Sequence, residues 1–90
     1  MPLQVELVSA DRMVWSGSAS MVVARTVDGE VGVLPGHAPV LALLSSGDIR
    51  ITPTEGGVVH AQADDGFLSI EHDRVTIVSE RAALADAGAV

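Results

Sequence analysis

Cysteine, lysine and tyrosine are all missing from this 90-residue chain. Without thiols there is no disulfide framework, no thiolate metal site and no cysteine nucleophile. The absence fits a cytosolic protein. Without lysine there is no Walker-type phosphate loop, whose chemistry needs that ammonium. One Phe and one Trp hold the aromatics at 2%, so the core must be aliphatic, built from Val, Leu, Ile, Ala and Met. The cations are five arginines (Arg12, Arg25, Arg50, Arg74 and Arg81) against a net charge of −7. They are scattered, whereas phosphate backbones and anionic lipid surfaces call for clustered positive charge. Nucleic acid is therefore not an expected partner; a basic protein is a permitted one. No apolar stretch reaches the roughly 20 residues that span a bilayer, so direct membrane insertion is not expected. The start, MPLQVELVSADR, lacks the basic end and long apolar run of a signal peptide.

Length allows one domain. Within it, short apolar segments are broken by turn residues, the pattern of an all-β fold. Leu3, Val5 and Leu7 alternate with Gln4 and Glu6. Ala10-Asp11-Arg12 reads as a turn, and Met13-Val14-Trp15 leads to Gly17. Met21 to Ala24 is apolar on both faces, as a central strand is. Asp28-Gly29 is a tight-turn dipeptide. Val31, Val33 and Leu34 form a strand ending at Pro35, and Val40 to Leu44 is a strand or a single turn, which periodicity alone does not decide. Ile49 and Ile51, then Val59, Ala61 and Ala63, then Leu68 and Ile70, then Val75 and Ile77 alternate with polar neighbours. Pro53 to Gly57, Asp65-Gly66 and Glu71-His72-Asp73 separate these runs. The expectation is a flattened two-sheet antiparallel β-sandwich or barrel of about eight to ten short strands. Residues 1–79 form the sandwich. Residues 80–90 form a short helical tail, because SERAALADA is rich in helix formers and Ser79 can cap its first turn.

Catalytic chemistry finds little support. His37, His60 and His72 lie in separate segments without an acid or second ligand at metal-binding spacing. The nucleophile-elbow pattern G-x-S-x-G is missing. Asp64-Asp65 precede a glycine, where acids make turns, and Trp15 reads as a core or edge filler. A stand-alone ligand-binding sandwich, with Trp15 and the histidines lining a pocket, is the alternative reading. No cofactor, metal or catalytic residue is expected.

The stretch DGEVGVLPGHAPV is different. Pro35 and Pro39 fix φ on either side of Gly36-His37-Ala38, so the loop is stiff. Its apolar density is too high for a solvated loop, and an exposed apolar patch usually means a partner. A rigid, partly apolar surface with one acid, Glu30, suits a protein–protein contact and makes a poor active site.

These residues also resemble a known family. GEVGVLPGHAPVLALLSSGDIRI, Gly29 to Ile51, is similar to the epsilon subunit of F-type ATP synthase, in its N-terminal β-sandwich domain. Val8-Ser9 with Trp15-Ser16-Gly17, and Gly66 to Ile70 followed by Val75-Thr76-Ile77, extend the likeness over nearly the whole chain. The resemblance implies a non-catalytic rotor part of the central stalk, at the cytoplasmic face of a bacterial cell membrane. Its partners would be the gamma subunit and the polar loops of the c ring. Glu30 would face those loops, and Val31, Pro35, Gly36, His37, Ala38, Pro39 and Val40 would belong to the contact surface. Asp65 stands where the family usually has glycine, which puts in doubt a positive-φ turn there. Family members usually continue into a two-helix domain that can inhibit ATP hydrolysis or bind ATP. Neither property is expected of these 90 residues.

Overall fold

A period of two governs almost the whole chain. The computed structural model, which describes residues 2–84, turns it into nine strands: β1 (Leu3–Ser9), β2 (Arg12–Thr26), β3 (Gly29–Val33), β4 (Val40–Leu44), β5 (Gly47–Pro53), β6 (Val59–Ala63), β7 (Gly66–Glu71), β8 (Arg74–Ser79) and β9 (Ala82–Leu84). Successive side chains point to opposite faces of a strand. Thus Leu3, Val5 and Leu7 of β1 are buried while Gln4 is exposed; Ile49 and Ile51 of β5, Leu68 and Ile70 of β7, and Val75 and Ile77 of β8 are buried in the same rhythm.

β2 organises the fold because it is long enough to belong to two layers. Its first half pairs with β1 through Leu3↔Ala19 to Ser9↔Arg12. Its second half pairs with β3 and with β5. Register breaks between Ala19 and Met21 mark the bend. The first layer is therefore β2–β1–β8–β7–β4 and the second β3–β2–β5–β6–β9, with a short pairing at Thr26↔Leu44, flanked by hydrogen bonds from Val27 to Leu43 and from Ser45 to Arg25, joining β4 back to β2. Between the layers sits one aliphatic core, including Leu7, Val22, Val33, Ile51, Leu68 and Ile77. Trp15, Val14, Val31, Val40 and Val59 pack against it from the margins. Each such side chain contributes about 1.5–3 kcal/mol when fully removed from water.

Three expectations change. The sandwich is not wholly antiparallel: β1 and β8 run parallel from Gln4↔Arg74 to Val8↔Val78. Asp65 does not occupy the left-handed region; among the described non-glycine residues His72 (φ 51°) and Asp73 (φ 60°) do. The tail begins as sheet, not helix. Ser79 is buried at the end of β8, and Ala82 to Leu84 pair with Ala63 to Ala61 of β6. The Ser79 hydroxyl does not cap a helix. It accepts the N–H groups of Asp64 (3.1 Å) and Arg81 (3.2 Å) and lies 2.7 Å from the Arg81 carbonyl. Alanine's helix preference is a few tenths of a kcal/mol per residue, which an open strand edge offering hydrogen bonds and a buried slot for Ala82 overrides. The rest of the expected helix lies outside the described residues.

Candidate functional site

The β3–β4 corner is built by its sequence. Pro35 takes the second position of a turn, Gly36 the third at φ 86°, and the Leu34 carbonyl accepts the His37 N–H at 3.2 Å. That is a type II turn, in which glycine supplies the positive φ and proline presets the residue before it. The Gly36 N–H, pointing away from the turn, donates to Asp73 Oδ1 at 2.7 Å. Asp73 sits in the β7–β8 turn, and its carbonyl accepts the Gln4 N–H at 2.8 Å. One aspartate thus ties the corner to the β7–β8 hairpin and to the start of β1. His37 is half-buried, with Nδ1 2.8 Å from the Ala38 carbonyl. A carbonyl only accepts, so the proton sits on Nδ1 and Nε2 is left for another partner.

The Asp73 bond has a separable effect. Asp73→Gly removes the positive-φ cost together with the carboxylate, whereas Asp73→Asn keeps an acceptor. With Asp73→Gly the Gly36 amide should exchange its hydrogen at least several-fold faster than with Asp73→Asn, at nearly equal melting temperature. Exchange measured by NMR on both variants checks this; equal protection would show that the carboxylate does not hold the corner.

The candidate residues do not form one patch. Pro35, Gly36, Ala38 and Pro39 are exposed around the corner, while Val31 and Val40 turn inward against the core. Glu30 lies near the other end of β3, about 13 Å of strand from Leu34 at ~3.3 Å per residue. It stands on the outer face of the second layer with its side chain 56% exposed, and its Oε2 is 3.5 Å from Arg50 Nη2. Arg50 Nε is 4.0 Å from Asp48, and Asp48 is 3.8 Å from His60 Nδ1 and accepts from Gln62 at 3.4 Å. This outer face is therefore polar and charge-paired.

The outer face of the first layer is the opposite. Cα register places Leu43 beside Phe67, Phe67 beside Val78, Val78 beside Val8 and Val8 beside Met13. Leu43, Phe67, Val78 and Val8 each adjoin a buried residue on their own strand and so point outward, Val78 and Val8 being half-buried, and exposed Met13 lies beside Val8 across the register shift after Leu7. Leu43 is 63% exposed, Met13 50% and Phe67 39%, with Leu41 next along β4 at 75%. Five strands thus present one apolar row to solvent. Sequence reasoning missed this row, as it missed Asp73 and Arg50. The signal for the row was present: Leu41 and Leu43 alternate with core positions, so one face of β4 had to look outward.

Trp15 is half-buried, and its ring covers the space a side chain at Gly17 would occupy, 3.0 Å from a Cβ there. The three histidines are not gathered around it. His60 is on the outer face of the second layer, His37 in the corner and His72 in the β7–β8 turn. Among the described residues no group of three or more His, Cys, Asp or Glu could hold a metal ion. The surface hollows are shallow and open; one of about 450 Å³ lies over Ser46, Gln62, Asp64 and Arg81. No described helix is long and apolar enough to cross a membrane.

Residues 2–85 match the family model of the ATP synthase delta/epsilon chain, β-sandwich domain. The chain belongs to this family. A relative named ATP synthase epsilon chain, from Micrococcus luteus, is 55% identical over 87 residues, which are 97% of this chain and 96% of that one. Another of the same name, from Streptomyces griseus, is 52% identical over 84 residues, 93% of this chain and 68% of its own. Among solved structures, a chain in the Euglena gracilis mitochondrial ATP synthase assembly of OSCP, F1 and c ring superposes with a TM-score of 0.86 at 22% identity. That match covers 92% of this chain but 53% of the other, so this epsilon-family chain spans about half the length of that neighbour.

Proposed function

We propose that the chain is a non-catalytic rotor subunit of the central stalk of a proton-translocating F-type ATP synthase. It would sit at the cytoplasmic face of a bacterial membrane and join the c ring to gamma. The observation that carries this reading is the exposed apolar row from Leu43 to Met13 on a member of the epsilon family. A soluble β layer gains nothing from that row in water, and a partner subunit would cover it. Gamma is assigned to this apolar face. The polar loops of the ring are assigned to the Glu30 face, and the braced Pro35–Val40 corner, where the two contacts meet, is covered by them. A stable joint of this kind buries on the order of 800 Å² per partner. Two layers tied at their corners by Thr26↔Leu44 and by the Gly36–Asp73 bond make a stiff body for passing torque.

Glu30 gives the test. Glu30→Arg reverses its charge and also adds a cation beside Arg50; Glu30→Gln removes the charge alone. Both should fold. In the assembled enzyme Glu30→Arg should lower ATP-driven proton pumping by about tenfold or more, with Glu30→Gln intermediate, while gamma still co-purifies. Assembly and pumping untouched by Glu30→Arg would show that the ring contact lies elsewhere. Failure of the wild-type chain to co-purify with gamma and the ring would refute the function itself.

A further inference from the structure

We infer that Glu6 decides which surfaces can cover the apolar row: it admits one that brings a cation and turns away a second copy of this chain. The inference deepens the proposed assignment of gamma to the outer face of the first layer and rests on it. Glu6 stands on β1 between Val5 and Leu7, both buried, so its side chain points outward. Its neighbours in register are Ser16 on β2 and Thr76 on β8. Val8, a member of the apolar row, is two residues along the same strand, about 7 Å away at ~3.3 Å per residue. Glu6 is half-buried. The ion pairs among the described residues join Arg50 to Glu30 and Asp48, and His60 to Asp48; Glu6 is in none of them. Arg74, the arginine on this face, is opposite Gln4 and Glu71, two residues further from the row. Glu6 is thus a lone charge, flanked by hydroxyls, at the border of the apolar row.

In the free chain water solvates this carboxylate, and covering the face changes that. A surface wide enough to hide the row, at about 800 Å², covers Glu6 as well. A carboxylate buried without a counter-charge weakens a complex strongly, whereas one met by a well-placed arginine or lysine can strengthen it. The covering surface must therefore set a cation opposite Glu6, beside the apolar side chains that meet the row. A second copy of the chain supplies none there. Copies paired face to face through the row obey two-fold symmetry, so both carboxylates are buried together. The apolar row holds no cation, and neither does the next row, from Leu41 through Ser69, Thr76 and Glu6 to Ser16. One acid thus keeps an exposed apolar face from closing on its own copy while leaving it open to a basic partner, and discrimination of this kind is a difference between two affinities. The net charge of −7 acts in the same direction.

The test uses Glu6→Gln, which removes the charge at nearly the same shape, and Glu6→Lys, which reverses it. Both side chains point outward, so melting temperatures should stay within a few degrees of the wild type. Sedimentation of the isolated chain over a range of concentrations reads self-association. Glu6→Gln should pair with itself at least about tenfold more tightly than the wild type, while Glu6→Lys, which buries two cations instead of two acids, should stay as monomeric as the wild type. Calorimetric titration with purified gamma gives the second reading. Glu6→Gln should bind at least about tenfold more weakly, and Glu6→Lys more weakly still. Added salt should weaken the wild-type complex more than the Glu6→Gln complex. The inference is overturned if Glu6→Gln is as monomeric as the wild type, if it binds gamma as tightly, or if Glu6→Lys self-associates as Glu6→Gln does. Gamma binding lost with Leu43→Asp but kept with Glu6→Gln would refute the role of Glu6 and leave gamma on this face. Gamma binding kept with both would refute the assignment of the face, and the inference with it.

Discussion

Gly66→Ala should lower the melting temperature by about 12 °C or more. Gly66 opens β7, paired with Leu44 of β4 on one side and Ser79 of β8 on the other. A Cβ at this position would collide with the Val78 carbonyl oxygen and come within 2.7 Å of the Ser79 Cα. Both are backbone atoms, so no side chain can swing aside. The β7–β8 ladder would have to open where the Glu80 N–H reaches the Asp65 carbonyl at 3.1 Å and Ser79 gathers Asp64 and Arg81. Overpacking with backbone displacement costs about 1–3 kcal/mol and more where the surroundings are rigid; we expect about 3 kcal/mol here. One kcal/mol shifts the midpoint of a domain this size by about 4–8 °C. Total stability for such a chain is only about 5–13 kcal/mol. Thermal unfolding followed by circular dichroism reads the shift, and a change of a degree or two would mean that β7 and β8 are not held as described.

Leu43→Asp should have the largest effect on assembly and almost none on the fold. The side chain is 63% exposed, so the isolated chain loses little by the exchange. In the complex its carboxylate would be buried beside Phe67, its neighbour across β7, in the middle of an apolar row. An unpaired charge in a dry interface costs several kcal/mol, and truncations at an interface centre commonly cost 2 kcal/mol or more. Gamma should therefore bind about a hundredfold more weakly, with the melting temperature within a few degrees of the wild type. Unchanged affinity, measured by titration calorimetry against purified gamma, would remove the apolar row from the interface.

Most strands were legible because one face of each is buried, and burial on one face writes a period of two into the sequence. β4 was ambiguous for a physical reason. Its outward residues, Leu41 and Leu43, are as apolar as its inward ones, so the alternation vanished where the exposed row begins. The start of the tail, up to Leu84, was misread because alanine-rich segments favour helix locally, while the edge of β6 that recruits Ala82 is about 20 residues away in sequence. The parallel pairing of β1 with β8 leaves no local mark, since a strand's period does not name its neighbour. The corner divides in the same way. Leu34-Pro35-Gly36-His37 spells its turn within four residues, so its stiffness could be read directly. The bond from Gly36 to Asp73 and the pairing of Glu30 with Arg50 span 37 and 20 positions, and no short motif carries them.

The corner can be probed cleanly because the chain has no cysteine of its own. Ala38→Cys places one thiol on the exposed loop between Pro35 and Pro39. Its rate of reaction with a maleimide should be fast in the isolated chain and at least about tenfold slower in the intact enzyme. Labelling at the same rate in both would mean that the corner stays open to water in the assembly, and that it is not a surface on which a partner docks.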